Sequence, residues 1–272
     1  MTEKGNKLKN IVEQEAGSVE VEYFTDPLCC WSWAMEPQWR RLRFEYKGRI
    51  KWRYRMGGLI PNWENFNDPM NSVARPLQMG PLWMEAKHVS GMPIQDRVWY
   101  ENPPASSYPA CIAVKAAEQQ SPIAAENYLR RVREAVMLHG QNIAERDVLL
   151  QTGIKLAEAL PGVFDAEAFR EALGGEEAHK AFKKDLVQVR LHGISRFPTL
   201  TMRQEGEEKG VMIVGYRPYE ALEQALLQVA PGLEPIQHTT DEIEYRRYWG
   251  SATEREVSEA LRQERAESRK PE

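Results

Sequence analysis

The hydrophobic pattern of the chain begins as a strand and then becomes helical. Residues 19–23 alternate apolar and acidic side chains in the order Val, Glu, Val, Glu and Tyr, the period of two that a strand with one buried face shows. From Trp31 the apolar residues recur every three or four positions as far as Gly48, which predicts a helix ending at a glycine. A second strand is predicted over residues 50–56. This succession indicates a parallel strand pair in an α/β layer.

The middle of the chain is predicted to be helical, and strands return near its end. Residues 60–107 are rich in Pro, Asn, Met and Trp and predict an irregular lid with a short helical stretch at 82–89. Helical periodicity then continues to residue 192. The predicted helices of this block are 111–119, 122–139, 145–160, 166–173 and 176–191, and they are followed by strands at 199–202 and 211–214 and a helix at 219–229.

The two strand-bearing parts of the chain are expected to complete one sheet. Each part has only two predicted strands, too few for an independently stable sheet. We therefore predict one α/β domain in two halves, residues 18–59 and 194–232, interrupted by an inserted helical domain, residues 60–193. Ligand sites often occur at boundaries of this kind.

Both ends of the chain are polar. Residues 1–17 have no sustained hydrophobic period and are expected to be a flexible lead-in. Residues 238–272 are expected to form a charged tail with one helix at 254–267. That helix has an apolar stripe of only three residues, too few to anchor it by burial. The tail is therefore predicted to be separable and to dock a partner.

Composition and charge exclude several classes of protein. Of the 272 residues, 42 % are apolar and 28 % charged, which rules out fibrous and globally disordered chains. The net charge of -4 gives no broad basic surface, so no nucleic-acid partner is expected. No apolar run is long enough for a bilayer, so no membrane association is expected. Three cysteines and a polar first decapeptide favour a reducing, cytoplasmic location over a secreted disulfide scaffold.

The sharpest candidate for chemistry is the segment Asp-Pro-Leu-Cys-Cys-Trp-Ser-Trp at residues 26–33. It lies at the turn between the first strand and the first helix. Free backbone N–H groups and the helix dipole stabilise a thiolate at a helix N-terminus. We therefore expect Cys29 to be the most reactive thiol, with a pKa below those of Cys30 and Cys111. The alternative is that Cys29 and Cys30 are small buried apolar residues.

The spacing of the cysteines leaves Cys29 without a neighbouring redox partner. A C-x-x-C motif would place the second thiol at position 32, where the sequence has Ser32. A disulfide between Cys29 and Cys30 would close a strained ring. A mixed disulfide with glutathione or a protein thiol remains open to Cys29, and Ser32 could donate a hydrogen bond to its thiolate. Cys111 is either a remote resolving thiol or, as the favoured reading, a buried small residue.

Two prolines mark the same framework. Pro37 lies inside the predicted first helix and should bend it by removing a hydrogen bond. Pro198 opens the first strand after the helical block, a place where proline is tolerated.

The chain resembles the DsbA-like branch of the thioredoxin superfamily over roughly residues 18–230. The resemblance rests on the segment 26–29 followed by Trp33 and on three short motifs. These motifs are Gly-Gly-Leu at 57–59, Ser-Ser-Tyr-Pro-Ala-Cys at 106–111 and Phe-Pro-Thr at 197–199. These segments look similar to cytosolic DsbA-family proteins. That group includes the FrnE type and the YjbH (SpxH) adaptors, which deliver a transcription regulator to an ATP-dependent protease. Residues 251–257 resemble the tail of the adaptor group.

The resemblance implies an α/β fold of the thioredoxin-like kind with an inserted all-helical domain and a charged C-terminal tail. It implies that Cys29 is the nucleophile and that a cis Phe197–Pro198 bond lies opposite it. The catalytic set is then Cys29, Ser32 and Pro198, and the substrate-binding set is Trp31, Trp33, Phe197, Thr199 and Tyr108. Ser32 departs from the redox pair of the family, which argues against net disulfide oxidation.

The remaining sequence patterns are consistent with an apolar groove and do not predict a metal site. Residues 60–110 contain many Trp, Tyr and Met side chains, which suit core packing or an adaptable apolar groove for a peptide. The five histidines have no metal-site spacing, so no metal is expected. No tightly bound cofactor is expected either.

Three functions follow, in order of preference. The first is a cytosolic thiol-disulfide oxidoreductase or isomerase that uses Cys29 alone, acts on protein thiols or an extended peptide, and has glutathione as a candidate co-substrate. The second is a non-catalytic thioredoxin-fold adaptor whose partners are an ATP-dependent protease and a redox regulator. The third resembles kappa-class glutathione transferases and isomerases. The missing second thiol counts against the first, the retained Cys29 against the second, and the Ser usual at that position in kappa-class proteins against the third.

Overall fold

A computed structural model describes residues 19–236 and 241–261. The predicted lead-in 1–17 and the end of the predicted tail helix, 262–267, lie outside these ranges.

A four-stranded sheet has the order β2-β1-β3-β4. Its strands are β1 (Val19–Thr25), β2 (Ile50–Met56), β3 (Thr199–Gln204) and β4 (Gly210–Val214). The N–H of Val19 donates to the carbonyl of Arg49, and the N–H of Gly57 donates to the carbonyl of Thr25. Because matching ends of β1 and β2 are joined, the two strands run in the same direction. β3 and β4 form an antiparallel hairpin in which Thr199 faces Val214.

Twelve helices accompany the sheet in the described residues. They are α1 (Cys30–Ala34), α2 (Glu36–Glu45), α3 (Met79–Ser90), α4 (Val98–Glu101), α5 (Tyr108–Glu118), α6 (Pro122–Met137), α7 (Arg146–Ala159), α8 (Ala166–Gly174), α9 (Glu176–Leu191), α10 (Tyr219–Val229), α11 (Glu242–Trp249) and α12 (Glu254–Ala260). This confirms the predicted thioredoxin-like α/β fold with helices inserted between its βαβ and ββα parts. No helix in the described ranges is long and apolar enough to cross a bilayer.

The first helix is broken rather than bent. The sequence predicts one continuous helix from Trp31, whereas the structure has α1 and α2 separated at Met35. Pro37 lies in the first turn of α2, where a missing N–H costs nothing because those N–H groups have no intrahelical partner. The same missing N–H prevents α1 from continuing.

The described residues divide into two compact units whose borders differ from the predicted domains. The sheet unit contains residues 19–23, 34–53, 199–236 and 241–261, and the helical unit contains residues 24–33 and 54–198. The turn after β1 belongs to the helical unit because Asp26 in this turn bonds to groups of that unit, the Leu59 N–H and the Ser107 hydroxyl.

The C-terminal segment is part of the sheet unit, and the prediction of a single helix in it is wrong. Two helices, α11 and α12, are present, and Phe44 of α2 packs with Tyr245, Val257 and Ala260 in one buried cluster. Hydropathy treats charged residues as solvated, but Glu256 of α12 is buried. The tail therefore has more burial than its apolar stripe indicates.

The predicted lid is more regular than expected. Residues 60–107 contain α3 and α4. Trp83 and Trp99 are fully buried with ring centroids 5.1 Å apart, which agrees with core packing. Met70 and Tyr100 are exposed.

Candidate functional site

The Cys29 thiol lies in the turn between β1 and α1, inside the helical unit. The Cys29 N–H donates to the Asp26 carbonyl at 3.1 Å, which closes the turn. The Cys29 carbonyl accepts from the Trp33 N–H at 3.1 Å, so Cys29 precedes the first turn of α1. The strand-to-helix position predicted from the sequence is the one observed.

The Cys29 sulfur forms hydrogen bonds with Ser32 and Phe197. The backbone N–H of Ser32 donates to Cys29 Sγ at 3.3 Å. The thiol in turn donates to the Phe197 carbonyl at 3.4 Å. The Phe197–Pro198 peptide bond is cis, which confirms that prediction. The structure therefore brings Cys29, Ser32 and the Phe197–Pro198 peptide together, and the catalytic role of Cys29, Ser32 and Pro198 stays a prediction.

Burial governs the electrostatics of this thiol. Cys29 is only 4 % exposed, and its desolvation raises the pKa of the thiol above its ordinary value, although hydrogen bonds from the Ser32 side chain and N–H act in the opposite direction. The sequence predicts a lowered pKa from the helix N-terminus. That expectation is wrong because removing a charge from water costs more than a few hydrogen bonds return. At neutral pH the group is mainly a thiol.

Burial disfavours ionisation of Cys30 and Cys111 more strongly than ionisation of Cys29. All three cysteines are free. Burial raises the pKa of Cys30 and of Cys111 well above the ordinary value, so the predicted order, with Cys29 lowest, agrees with the direction of these shifts. The Cys111 thiol lies 3.3 Å from Asp26 Oδ2. This contact supports the buried reading of Cys111 over a resolving role.

Asp26 organises the site, and sequence reasoning assigned it no role. Its carboxylate accepts from the N–H of Leu28 at 2.8 Å, the N–H of Leu59 at 2.7 Å and the Ser107 hydroxyl at 2.8 Å. Burial raises the pKa of Asp26, although these hydrogen bonds lower it. An Asp-Pro pair directly after a buried strand was the available signal. Asp26 ties the cysteine turn to the Leu59 loop and to the start of α5.

Two glycines make room for the aromatic rings beside the site. A Cβ on Gly57 would lie 2.0 Å from the Phe197 ring. Gly58 has a φ of +64°, and a Cβ there would lie 2.8 Å from the Tyr108 ring. The Gly-Gly-Leu motif thus allows both rings to pack on the backbone.

The predicted substrate-binding residues fall into two groups. Trp31, Tyr108 and Phe197 are half-buried and present part of their surface. Trp33 is fully buried, and its indole N–H donates to the Pro93 carbonyl at 3.0 Å. Thr199 is also buried and belongs to β3 of the sheet unit. Trp33 and Thr199 therefore differ from the other three residues in having almost no exposed surface, and substrate binding by the set stays a prediction.

No metal centre is seen where the structure is described. Residues 19–236 and 241–261 contain no group of three His, Cys, Asp or Glu side chains that could hold an ion.

Known proteins place the chain in a family. A family profile described as thioredoxin matches residues 23–224. The ClpXP adapter protein SpxH of Halalkalibacterium halodurans is 28% identical over 228 residues, 84% of this chain and 72% of that protein. The ClpXP adapter protein SpxH of Shouchella clausii is 30% identical over 227 residues, 83% of this chain and 71% of that protein.

Solved structures agree on the fold. The cytosolic disulfide reductase DsbM from Pseudomonas aeruginosa superposes with a TM-score of 0.59 at 24% identity, covering 78% of this chain and 100% of that one. At this identity the likeness concerns the fold. The profile and the SpxH relatives show that the chain belongs to the DsbA-like family of the thioredoxin superfamily and is of the SpxH type.

Proposed function

We propose that the chain is a cytoplasmic thioredoxin-fold adaptor that binds a partner protein and presents it to an ATP-dependent protease. The observation that carries this proposal is the state of the Cys29 site. The site keeps the cis-proline loop and the cysteine turn, but Ser32 stands where a second thiol would be, and Cys29 is buried with a raised pKa. Such a site suits binding better than repeated thiol exchange, because the thiolate is the attacking species.

The names of the relatives support the same proposal. Both SpxH proteins described above are named as ClpXP adapters, and the alignment with each covers over four fifths of this chain. The sequence alone ranked an oxidoreductase first. The relatives favour the adaptor, which the sequence ranked second.

The partner is proposed to contact the half-buried side chains around the cysteine turn. Trp31, Tyr108 and Phe197 each present part of their surface in the helical unit. Aromatic side chains supply large contact areas at low entropic cost, which is why they are enriched at interfaces. An extended segment of the partner would place its side chains against these rings.

A degradation assay tests the adaptor role. Photo-crosslinking from Trp31 would first capture the partner, and the purified partner would then be incubated with ClpXP and ATP. Substoichiometric chain should accelerate loss of the partner, and Cys29→Ser should keep most of that acceleration. Trp31→Ala should weaken it, whereas Tyr100→Ala, which removes an exposed aromatic ring elsewhere in the helical unit, should not. Absence of acceleration by the wild-type chain would contradict the proposal.

A second function, mixed-disulfide exchange through Cys29 alone, is favoured by the hydrogen bonds from Ser32. In that reaction the Cys29 thiolate attacks a disulfide, one sulfur leaves as a thiol, and an external thiol such as glutathione later releases the mixed disulfide. Ser32→Cys should then raise oxidase activity on a reduced unfolded protein. Turnover by the wild-type chain that is lost in Cys29→Ser, without accelerated degradation, would favour this function over the adaptor.

A further inference from the structure

The helix α9 has a buried face and an exposed face of different chemistry. Phe182 and Asp185 lie on the buried face. Residues three and four positions apart share one face of a helix, and on the exposed face Val187 is 41 % and Leu191 73 % exposed. Together with the exposed cations next to them, they form a surface that we call the α9 face, which consists of Lys183, Lys184, Val187, Arg190 and Leu191.

The charge of this stretch differs from that of the whole protein. Residues 178–198 contain five Lys or Arg side chains and one acidic side chain, Asp185, whereas the chain has a net charge of -4. Asp185 is buried, 3.1 Å from Arg55 and 3.0 Å from Lys115. Lys180 is exposed and pairs with Glu177 in the first half of the helix. The α9 face thus combines three cations with two aliphatic side chains, which favours an anionic partner.

The α9 face continues towards the cysteine turn. The Tyr108 ring packs on the Phe182 ring of α9 with centroids 4.9 Å apart. A Cβ on Gly58 would meet the Tyr108 ring, and a Cβ on Gly57 would meet the Phe197 ring, so the two rings lie over consecutive backbone positions. A segment bound at the cysteine turn can therefore reach α9 along the helical unit.

Two exposed arginines border these aromatic rings. Arg196 directly precedes Phe197 in the sequence. Arg190 lies close enough to Tyr108 to affect its hydroxyl: burial raises the pKa of Tyr108, and the charge of Arg190 acts in the opposite direction. A guanidinium can bind a carboxylate through two parallel N–H donors. Carboxylates beside the aromatic rings would therefore have a partner at either arginine.

We propose that the α9 face and Arg196 bind an acidic segment of the partner protein, one with aliphatic side chains between its carboxylates. The carboxylates pair with the cations, and the aliphatic side chains cover Val187 and Leu191. Basic clusters recognise acidic motifs in other domains in this way. The inference rests on the proposed function, because the segment belongs to the protein held at the cysteine turn, and it adds the chemistry of that segment.

Fluorescence anisotropy of the full chain with a fluorescein-labelled peptide of repeated Glu-Leu-Asp units tests the charges. Arg190→Glu should raise the dissociation constant of the peptide about tenfold, and added salt should weaken binding by the wild type. Lys155→Glu is the matched control, because Lys155 is exposed on α7 of the same unit and the charge change is equal. It should bind within about twofold of the wild type. Equal effects of the two variants would show non-specific attraction and overturn the proposal.

The aliphatic part of the surface is tested by Leu191→Ser. This variant should raise the dissociation constant about fivefold, because the peptide no longer covers an apolar side chain. Ile243→Ser, which changes a residue 67 % exposed on α11 of the sheet unit, should bind like the wild type. All these variants alter exposed side chains, so their circular dichroism spectra should match that of the wild type. A Leu191→Ser variant that binds as tightly as Ile243→Ser would contradict the aliphatic contact.

Two further probes test the class of partner. Nucleic acids and anionic lipids present phosphate groups, and contacts to phosphate come mainly from cationic and polar groups, which leaves Val187 and Leu191 without a role. The peptide should therefore bind more tightly than a single-stranded oligonucleotide or phosphatidylserine vesicles. Binding of either probe that depends on Arg190, with no binding of the peptide at about 1 mM, would overturn the proposal.

The degradation assay separates this inference from the proposed function. Loss of acceleration in Arg190→Glu, with normal acceleration by Lys155→Glu, supports both. Normal peptide binding and normal acceleration by Arg190→Glu would overturn the inference and leave the adaptor role intact. Peptide binding that depends on Arg190, without acceleration by the wild-type chain, would contradict the adaptor role and support the α9 face as a binding surface.

Discussion

Two buried carboxylates, Asp26 in the helical unit and Glu256 in the sheet unit, are held in different ways. The donors to Asp26 are neutral groups, namely two backbone N–H groups, the Ser107 hydroxyl and the Cys111 thiol. Glu256 instead accepts from the Arg40 guanidinium at 2.9 Å, with both side chains buried. Neutral donors leave much of the cost of burying a charge uncompensated. The surroundings of Cys29 therefore disfavour charged groups. The C-terminal helices, in contrast, are held to the sheet unit by a buried ion pair.

The sheet unit should depend strongly on its C-terminal helices. Removal of residues 241–272 would expose the Phe44 cluster and leave Arg40 and Arg41 without Glu256 and Glu259. We expect the deletion to cost several kcal/mol of stability. Because each kcal/mol lowers the melting temperature of a chain of this size by about 2–4 °C, the melting temperature should fall by about 10 °C or more. Differential scanning calorimetry measures the shift. An unchanged melting temperature would show that these helices are dispensable.

The Glu256 carboxylate should account for much of the stability that the C-terminal helices contribute. Glu256→Ala removes the buried partner of Arg40, which should cost about 3–5 kcal/mol in urea unfolding. Glu254→Ala removes an exposed carboxylate that pairs with Arg246 of α11, and it should cost under about 1 kcal/mol. Similar costs for the two variants would remove the distinction between buried and exposed ion pairs here.

In the helical unit, packing beside the site should matter more than charge. Gly57→Ala would force the Phe197 ring to move, because the new Cβ would otherwise lie 2.0 Å from it. We expect a loss of about 1–3 kcal/mol in urea unfolding. Gly174→Ala is the control, since the nearest atom to its Cβ is 3.7 Å away on the flexible Arg146 side chain. A neutral Gly57→Ala would mean that the ring is not held in this place.

The smallest expected effect is a pH dependence from Asp26. Burial raises its pKa in the folded protein, so the folded state binds a proton more readily than the unfolded state. Stability from this group should therefore increase as pH falls from neutral through the raised pKa, and level off below the ordinary value of about 3.9. The difference in unfolding free energy between the wild type and Asp26→Asn should grow in favour of the wild type as the pH is lowered from 7 towards the ordinary pKa of a carboxyl group. An opposite slope would mean that the folded protein favours the charged carboxylate.

Local patterns predict the site better than they predict the C-terminal segment. The cysteine turn and the helix Tyr219–Val229 follow from short motifs and hydrophobic periods, and the cis Phe197–Pro198 bond follows from the family resemblance. The role of Asp26 and the burial of Glu256 depend on partners more than 30 residues away in sequence, Leu59 for the former and Arg40 for the latter. No local period carries that information, because a charged residue has the same hydropathy whether it is solvated or paired.

The same limit explains why the sequence predicts the wrong direction for the pKa shift of Cys29. A helix N-terminus is visible in the sequence and predicts a lowered pKa for Cys29, whereas the burial that raises it comes from the packing of the folded chain. The two contributions have opposite signs, so the local one alone gives the wrong direction.

The central claim, that Cys29 is kept as a thiol in a binding site, is tested most directly by the pH dependence of its alkylation. Iodoacetamide modification of Cys29 would be followed by mass spectrometry in a Cys30→Ser, Cys111→Ser background. The account predicts a rate that reaches half its maximum above about pH 8.5, the ordinary value for a thiol. A midpoint below about pH 7 would show a stabilised thiolate and contradict the account.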